Sequence, residues 1–142
     1  MEDKKVRIIL AKLGLDDHSR PLYVLSKAFR DAGMEVINLG PFQTPELVVK
    51  AAVDEDADAI GLSFHTVSYI GWIGRVMKVL KMKKREDILL FIGGAIPEED
   101  EEAIEDAGVK GVFRPGTSLE EITDSIISTV KRERWRVVEA KP

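Results

Sequence analysis

The sequence predicts an α/β domain: a buried parallel sheet of five strands with helices on both faces. Three observations predict it. Short apolar runs alternate five times with segments of helical period. The runs are nearly all apolar rather than alternating, as in strands covered on both sides. Glycine and proline punctuate the joints between segments. Right-handed crossovers between such units leave a doubly wound sheet, and five units favour the flavodoxin-like strand order 2-1-3-4-5.

Taken in order, residues 6–10 form the first strand, and the first helix runs to about residue 31, where Ala32-Gly33 supplies a left-handed cap. Residues 35–39 form a short second strand closed by Gly40-Pro41. Thr44-Pro45 then gives an N-cap with proline at the first helical position. Leu47, Val48, Ala51 and Ala52 make the stripe of the second helix. Residues 58–63 are the third strand, and residues 69–81 the third helix, with Ile70, Ile73, Met77 and Leu80 at core spacing. Residues 88–92 are the fourth strand. Gly93-Gly94 and Pro97 lead into an acidic helix over 98–106, capped by Gly108. Residues 111–113 are the fifth strand. The last helix starts at Ser118, with Glu121 completing a capping box and Leu119, Ile122, Ile126 and Val130 turned inward. Residues 1–133 thus form one domain, and residues 134–142 add a strand or lie as a tail.

Composition narrows the function. The chain has 142 residues, with 21 basic against 25 acidic and a net charge of −4, so charge implies no nucleic-acid partner. It lacks cysteine, which excludes disulfides, a thiolate metal site and a thiol nucleophile. No apolar run approaches the ~20 residues that span a bilayer, and no signal-peptide pattern opens the chain. A soluble cytoplasmic protein with no membrane partner is expected.

Ligands of open α/β sheets bind beyond the carboxyl ends of the strands. Asp16, Asp17 and His18 follow the first strand, Ser63 and His65 the third, Gly93 and Gly94 the fourth, and Arg114, Pro115, Gly116 and Thr117 the fifth. A histidine that ligates a metal commonly donates its other N–H to a carboxylate, so an Asp two residues away has a physical use. A solvated polar loop is the plain alternative. Paired glycines suit a close approach of another body to the backbone, or a tight turn.

These residues carry a family resemblance. The chain resembles the cobalamin-binding domain of methylmalonyl-CoA mutase and its relatives over about residues 5–130. The loop motif D-x-H-x-x-G is matched by Asp16-Asp17-His18-Ser19-Arg20, with Pro21 in place of glycine. The S-x-L motif is matched by Ser63, with His65 in place of leucine, and the G-G motif by Gly93-Gly94. Leu15 stands where glutamine is usual. Gly40-Pro41-Phe42-Gln43-Thr44-Pro45-Glu46, Gly94-Ala95-Ile96-Pro97 and Pro115-Gly116-Thr117 agree with the mutase branch. The resemblance implies adenosylcobalamin as cofactor, His18 as the lower axial ligand of cobalt, and Asp16 as the carboxylate behind it. Asp17, Ser19, Arg20, Pro21 and Leu25 would border the cofactor. Ser63 would bond the displaced base, Gly93 and Gly94 would make room for the nucleotide tail, and Phe113, Gly116 and Thr117 would line its far wall. Proline removes an N–H and fixes φ at position 21, although the first turn of a helix accepts it. His65, if buried unpaired, would cost on the order of 1–3 kcal/mol.

The implied activity is rearrangement of methylmalonyl-CoA with succinyl-CoA. This chain lacks the substrate barrel of the family, so a larger partner subunit is expected, and a homo-oligomer is left open. Three alternatives stand beside this reading: a corrinoid protein of methyl transfer, a module that kept the fold and lost the cofactor, and a phosphoreceiver. The last needs a carboxylate at the end of strand three, where this chain has Ser63.

Overall fold

The computed structural model describes residues 4–15, 19–65 and 69–136. The elements run β1 (Arg7–Leu13), α1 (Arg20–Asp31), β2 (Glu35–Gln43), α2 (Pro45–Asp54), β3 (Ala59–Phe64), α3 (Tyr69–Met82), β4 (Leu89–Gly94), α4 (Glu101–Asp106), β5 (Val109–Phe113) and α5 (Leu119–Thr129). A 3-10 turn, Glu98–Asp100, precedes α4, and a π turn, Val130–Trp135, continues α5. The strands pair in parallel in the predicted order β2-β1-β3-β4-β5.

Strand periodicity sorts the apolar residues into two layers. On β1, Ile9, Ala11 and Leu13 join Val48 and Ala52 of α2, Ile73 and Val76 of α3 and Ile104 of α4. Ile8 and Leu10 point the other way, into a layer with Leu22 and Phe29 of α1 and Ile122 and Ile126 of α5. The N-caps at Thr44 and Ser118 form as expected, their hydroxyls accepting from the N–H groups of Leu47 and Glu121. Among the described residues no helix is long and apolar enough to cross a membrane.

Two elements differ from the sequence expectation. Instead of closing at Gly40-Pro41, β2 continues to Gln43. A register shift lets Ala11 pair with Gly40, and Leu13 pairs with Gln43. Proline is tolerated there because β2 is an edge strand, where a missing N–H breaks no ladder. At the other end, residues 134 and 135, where a strand or a tail is expected to begin, belong instead to the helical segment 130–135. That segment extends α5 as a π turn, which brings Arg134 and Trp135 to the bottom of the sheet, 8% exposed each. Residues 137–142 lie outside the described residues.

That bottom edge is sealed by charge. The Asp58 carboxylate, 4% exposed, accepts from the backbone N–H of Arg7 at 2.9 Å, from Trp135 Nε1 at 2.8 Å and from Arg134 Nη1. Arg134 also reaches Asp87 at 3.1 Å, and Arg85 bonds both Asp87 and Asp56. The hydrogen bond from Arg85 holds Asp56 below the usual carboxylate range. Burial pushes Asp87 up, but the Arg85 hydrogen bond and the charges of Arg85 and Arg134 outweigh it, leaving Asp87 low as well.

Candidate functional site

At the opposite edge, a cavity of about 630 Å³ opens between α1, α5 and the sheet. Its floor is the sheet face that carries Ile8, Leu10 and Lys12 of β1, Gly61 and Ser63 of β3, Phe91 and Gly93 of β4, and Phe113 of β5. Leu22, Leu25 and Phe29 of α1 and Leu119, Ile122 and Ile126 of α5 form the walls. Arg20, Pro21, His65, Ala95, Arg114, Pro115, Gly116 and Thr117 ring the mouth.

Ten of the fourteen predicted site positions therefore meet at one cavity: Arg20, Pro21, Leu25, Ser63, His65, Gly93, Gly94, Phe113, Gly116 and Thr117. Ser19 does not line it; that residue precedes α1, and its side chain makes no cap hydrogen bond. Asp16, Asp17 and His18 lie outside the described residues. Among the described residues no group of three His, Cys, Asp or Glu side chains could hold a metal.

The two departures from the family motif do not block the cavity. Pro21 occupies the first turn of α1, where its missing N–H costs nothing, and it stands exposed at the mouth. His65 is also exposed, directly after β3, so no burial penalty arises.

The paired glycines divide into two roles. A Cβ at Gly93 would meet only Phe113 O, at 3.6 Å, so the space above this residue belongs to the cavity. Gly94, at φ +144°, would put a Cβ 2.3 Å from Phe64 O. The β3–β4 contact thus requires the absence of a side chain here. Phe113 lines the cavity and also packs on Phe91, ring centroids 6.2 Å apart at 17°. Core packing and wall are here one function.

Polar groups are few, set in the floor and around the mouth. Lys12 is 1% exposed, and its Nζ donates to Ser63 O at 3.1 Å and Ser63 Oγ at 3.4 Å. Accepting from Lys12 leaves the Ser63 hydroxyl proton to be donated elsewhere. Lys12 was not among the predicted site residues. Its signal was a lysine on the same strand parity as Ile8 and Leu10, hidden because the first strand was ended at Leu10. Arg114 Nε donates to Ile96 O at 2.8 Å, and its guanidinium pairs with Glu101 at 3.3 Å. This ties the turn after β5 to the segment after β4. Beside it, the Tyr69 hydroxyl donates to the Asp100 carboxylate, which pushes the phenol pKa up to about 12. The start of α3 is thereby fixed to the 3-10 turn.

The donor set suits a long amphipathic ligand arm: a glycine-thinned apolar slot with one buried hydroxyl, entered past cationic and imidazole side chains. Comparison with known proteins agrees. The profile of the B12 binding domain matches residues 6–123. The 2-hydroxyisobutanoyl-CoA mutase small subunit of Aquincola tertiaricarbonis is 39% identical over 130 residues, which is 92% of this chain and 96% of that one. The pivalyl-CoA mutase small subunit of Xanthobacter autotrophicus is 35% identical over 131 residues, 92% and 88% of the two chains. Among solved structures, a cobalamin-binding protein from Desulfitobacterium hafniense superposes with a TM-score of 0.74 at 21% identity, over 89% of this chain and 60% of that one. That last likeness concerns the fold. The profile match runs from the start of β1 into α5 and takes in all five strands, α1 and the first turn of α5, so the chain belongs to the B12 binding domain family.

Proposed function

We propose that this chain is the cobalamin-binding small subunit of an adenosylcobalamin-dependent acyl-CoA mutase. The observation that carries the reading is the slot itself: an open cavity of about 630 Å³ at the strand ends, with Gly93 as bare floor and Ser63 as buried hydroxyl. Near-complete coverage of two mutase small subunits supports the subunit role.

In this reading His18 would hold cobalt through one ring nitrogen, and Asp16 would accept the other N–H, fixing the tautomer and raising basicity. Ser63, which accepts from Lys12, would donate its hydroxyl proton to the cofactor's base. Gly93, Leu25, Phe113, Gly116 and Thr117 enclose the nucleotide arm, and the apolar walls exclude water from it. Asp17, Ser19, Arg20 and Pro21 border the corrinoid edge. When bound, adenosylcobalamin supplies the radical chemistry of the rearrangement. The protein's part is ligation, orientation and exclusion of water.

The acyl-CoA would be held by a larger partner chain seated on the strand-end edge. Leu15, Phe42, Leu47, Ile70 and Leu119 support this, since all lie at strand ends or in first helical turns on that edge and are exposed, Leu15 by 94%. The relatives named above act on different acyl groups, so the substrate is assigned here only as a short branched acyl-CoA of the methylmalonyl-CoA type.

The test is a visible spectrum of the purified chain mixed with hydroxocobalamin. The expected result is a base-off, histidine-ligated spectrum that His18→Ala abolishes. An unchanged spectrum in that variant removes the ligand assignment, and isomerase activity of this chain alone removes the subunit reading.

A further inference from the structure

We infer that Trp72 of α3 is a positioning residue for the loop that carries His18, acting through the backbone of Gly14. The inference rests on the cobalamin reading above for its ligand, and on packing for its geometry.

Gly14 directly follows β1 and stands four residues before His18. It adopts φ +74°, a region that L side chains rarely enter, and its N–H donates to Gln43 O at 2.9 Å. A Cβ at this position would lie 2.9 Å from Trp72 Cζ2, and the next two nearest atoms, at 3.6 and 3.7 Å, belong to the same indole. The indole therefore rests directly on the bare backbone of the loop's first residue. Trp72 is itself held in place. The Arg75 guanidinium sits 4.8 Å from the ring centroid, within cation–π range, and reaches Glu46 of α2 at 3.8 Å. The extension of β2 to Gln43, the glycine and the indole thus grip the chain from two sides just before the loop departs.

A flexible root would let an imidazole at position 18 sample many orientations, and ligation would then have to overcome that entropy. A clamp at Gly14 removes much of it in advance. It also accounts for a large aromatic on α3 that is only half-buried and stands apart from the cavity walls. Trp72 touches no cofactor atom in this scheme and sets only where the loop starts.

Two measurements test the clamp. Hydrogen exchange needs no corrinoid: in Trp72→Ala, amides over residues 14–20 should exchange faster while those of β4 stay unchanged. Titration with hydroxocobalamin should show affinity about tenfold weaker in Trp72→Ala, as for the loss of residues supporting a metal ligand, with Trp72→Phe keeping most of it. Gly14→Ala should weaken binding in the parent chain and do less further harm in the Trp72→Ala background, because the clash with the indole is then gone and only the positive φ is left to strain it. Unchanged exchange over 14–20, or equal affinity and spectrum in parent and Trp72→Ala, overturns the inference. If Trp72→Ala fails to fold, Trp72→Leu replaces it under the same criteria. A parent chain that leaves the hydroxocobalamin spectrum untouched sinks the cobalamin reading instead, and the exchange result still decides the clamp.

Discussion

The amino-terminal edge of the sheet closes on a buried ion cluster, whereas the carboxyl-terminal edge of the same strands opens into a slot with glycine in its floor and large apolar side chains in its walls. At the closed edge Asp58 has three donors and Arg134 three carboxylates within reach. At the open edge Gly93 faces space and Leu15, the most exposed large hydrophobic among the described residues, projects from a loop. One end holds the fold together and the other is kept unfilled. A parallel sheet permits this division because all its strands end on the same side, so ligand-bearing loops collect there and stabilising contacts can be placed elsewhere.

The contrast can be broken at either end. Arg134→Ala leaves Asp58 buried without its charged partner, and loss of one member of a buried pair costs about 3–5 kcal/mol. Urea denaturation should show that loss, while the affinity of the folded fraction for hydroxocobalamin stays at the parent value. Gly93→Val should do the reverse. Valine suits a strand, so the midpoint of unfolding should move little, but the side chain stands in the slot. Affinity should fall about a hundredfold, or ~2.7 kcal/mol.

Smaller effects sharpen the comparison. Tyr69→Phe removes a hydrogen bond to a carboxylate, worth about 1.5–3 kcal/mol, from the structure that borders the open edge. Its effect should appear in stability and also as faster exchange at the start of α3. Acid should act mainly on the closed edge. Asp56 and Asp87 are held below the ordinary carboxylate value in the folded state, so the unfolded chain binds protons first as pH falls. Their contribution is complete above about pH 4 and is lost as pH drops through the lowered folded values. The fall should be shallower in Arg85→Ala, which removes the hydrogen bonds that lower both.

Most of this was legible in the sequence because strand periodicity and strand-end position depend on local pattern. The five apolar runs gave the sheet and its order. The residues after runs one, three, four and five, together with Leu25 and Phe113 from the family resemblance, supplied ten positions that line one cavity. What escaped depended on where elements stop. Ending the first strand at Leu10 hid Lys12, which the longer β1 turns onto the cavity floor beside Ser63. Beyond Arg132 the spacing of Trp135, Val137 and Glu139 suits a strand, but Asp58 offers Arg134 and Trp135 a buried acceptor, and that contact, 76 and 77 residues away in sequence, holds residues 130–135 in a helical turn. The two roles of Gly93 and Gly94 were also invisible, since only the neighbouring β3 backbone separates them. His65, in the place of a leucine and costly if buried unpaired, stands exposed at the mouth, because β3 ends at Phe64.

The central claim is that an imidazole of this chain ligates cobalt and that the imidazole is His18. Electron paramagnetic resonance of the chain loaded with cob(II)alamin tests it most directly, using protein grown with heavy-nitrogen histidine. The account predicts that the nitrogen splitting of the cobalt signal follows the label, disappears in His18→Ala and survives in His65→Ala. A splitting indifferent to the label, or one lost with His65 rather than His18, would contradict it.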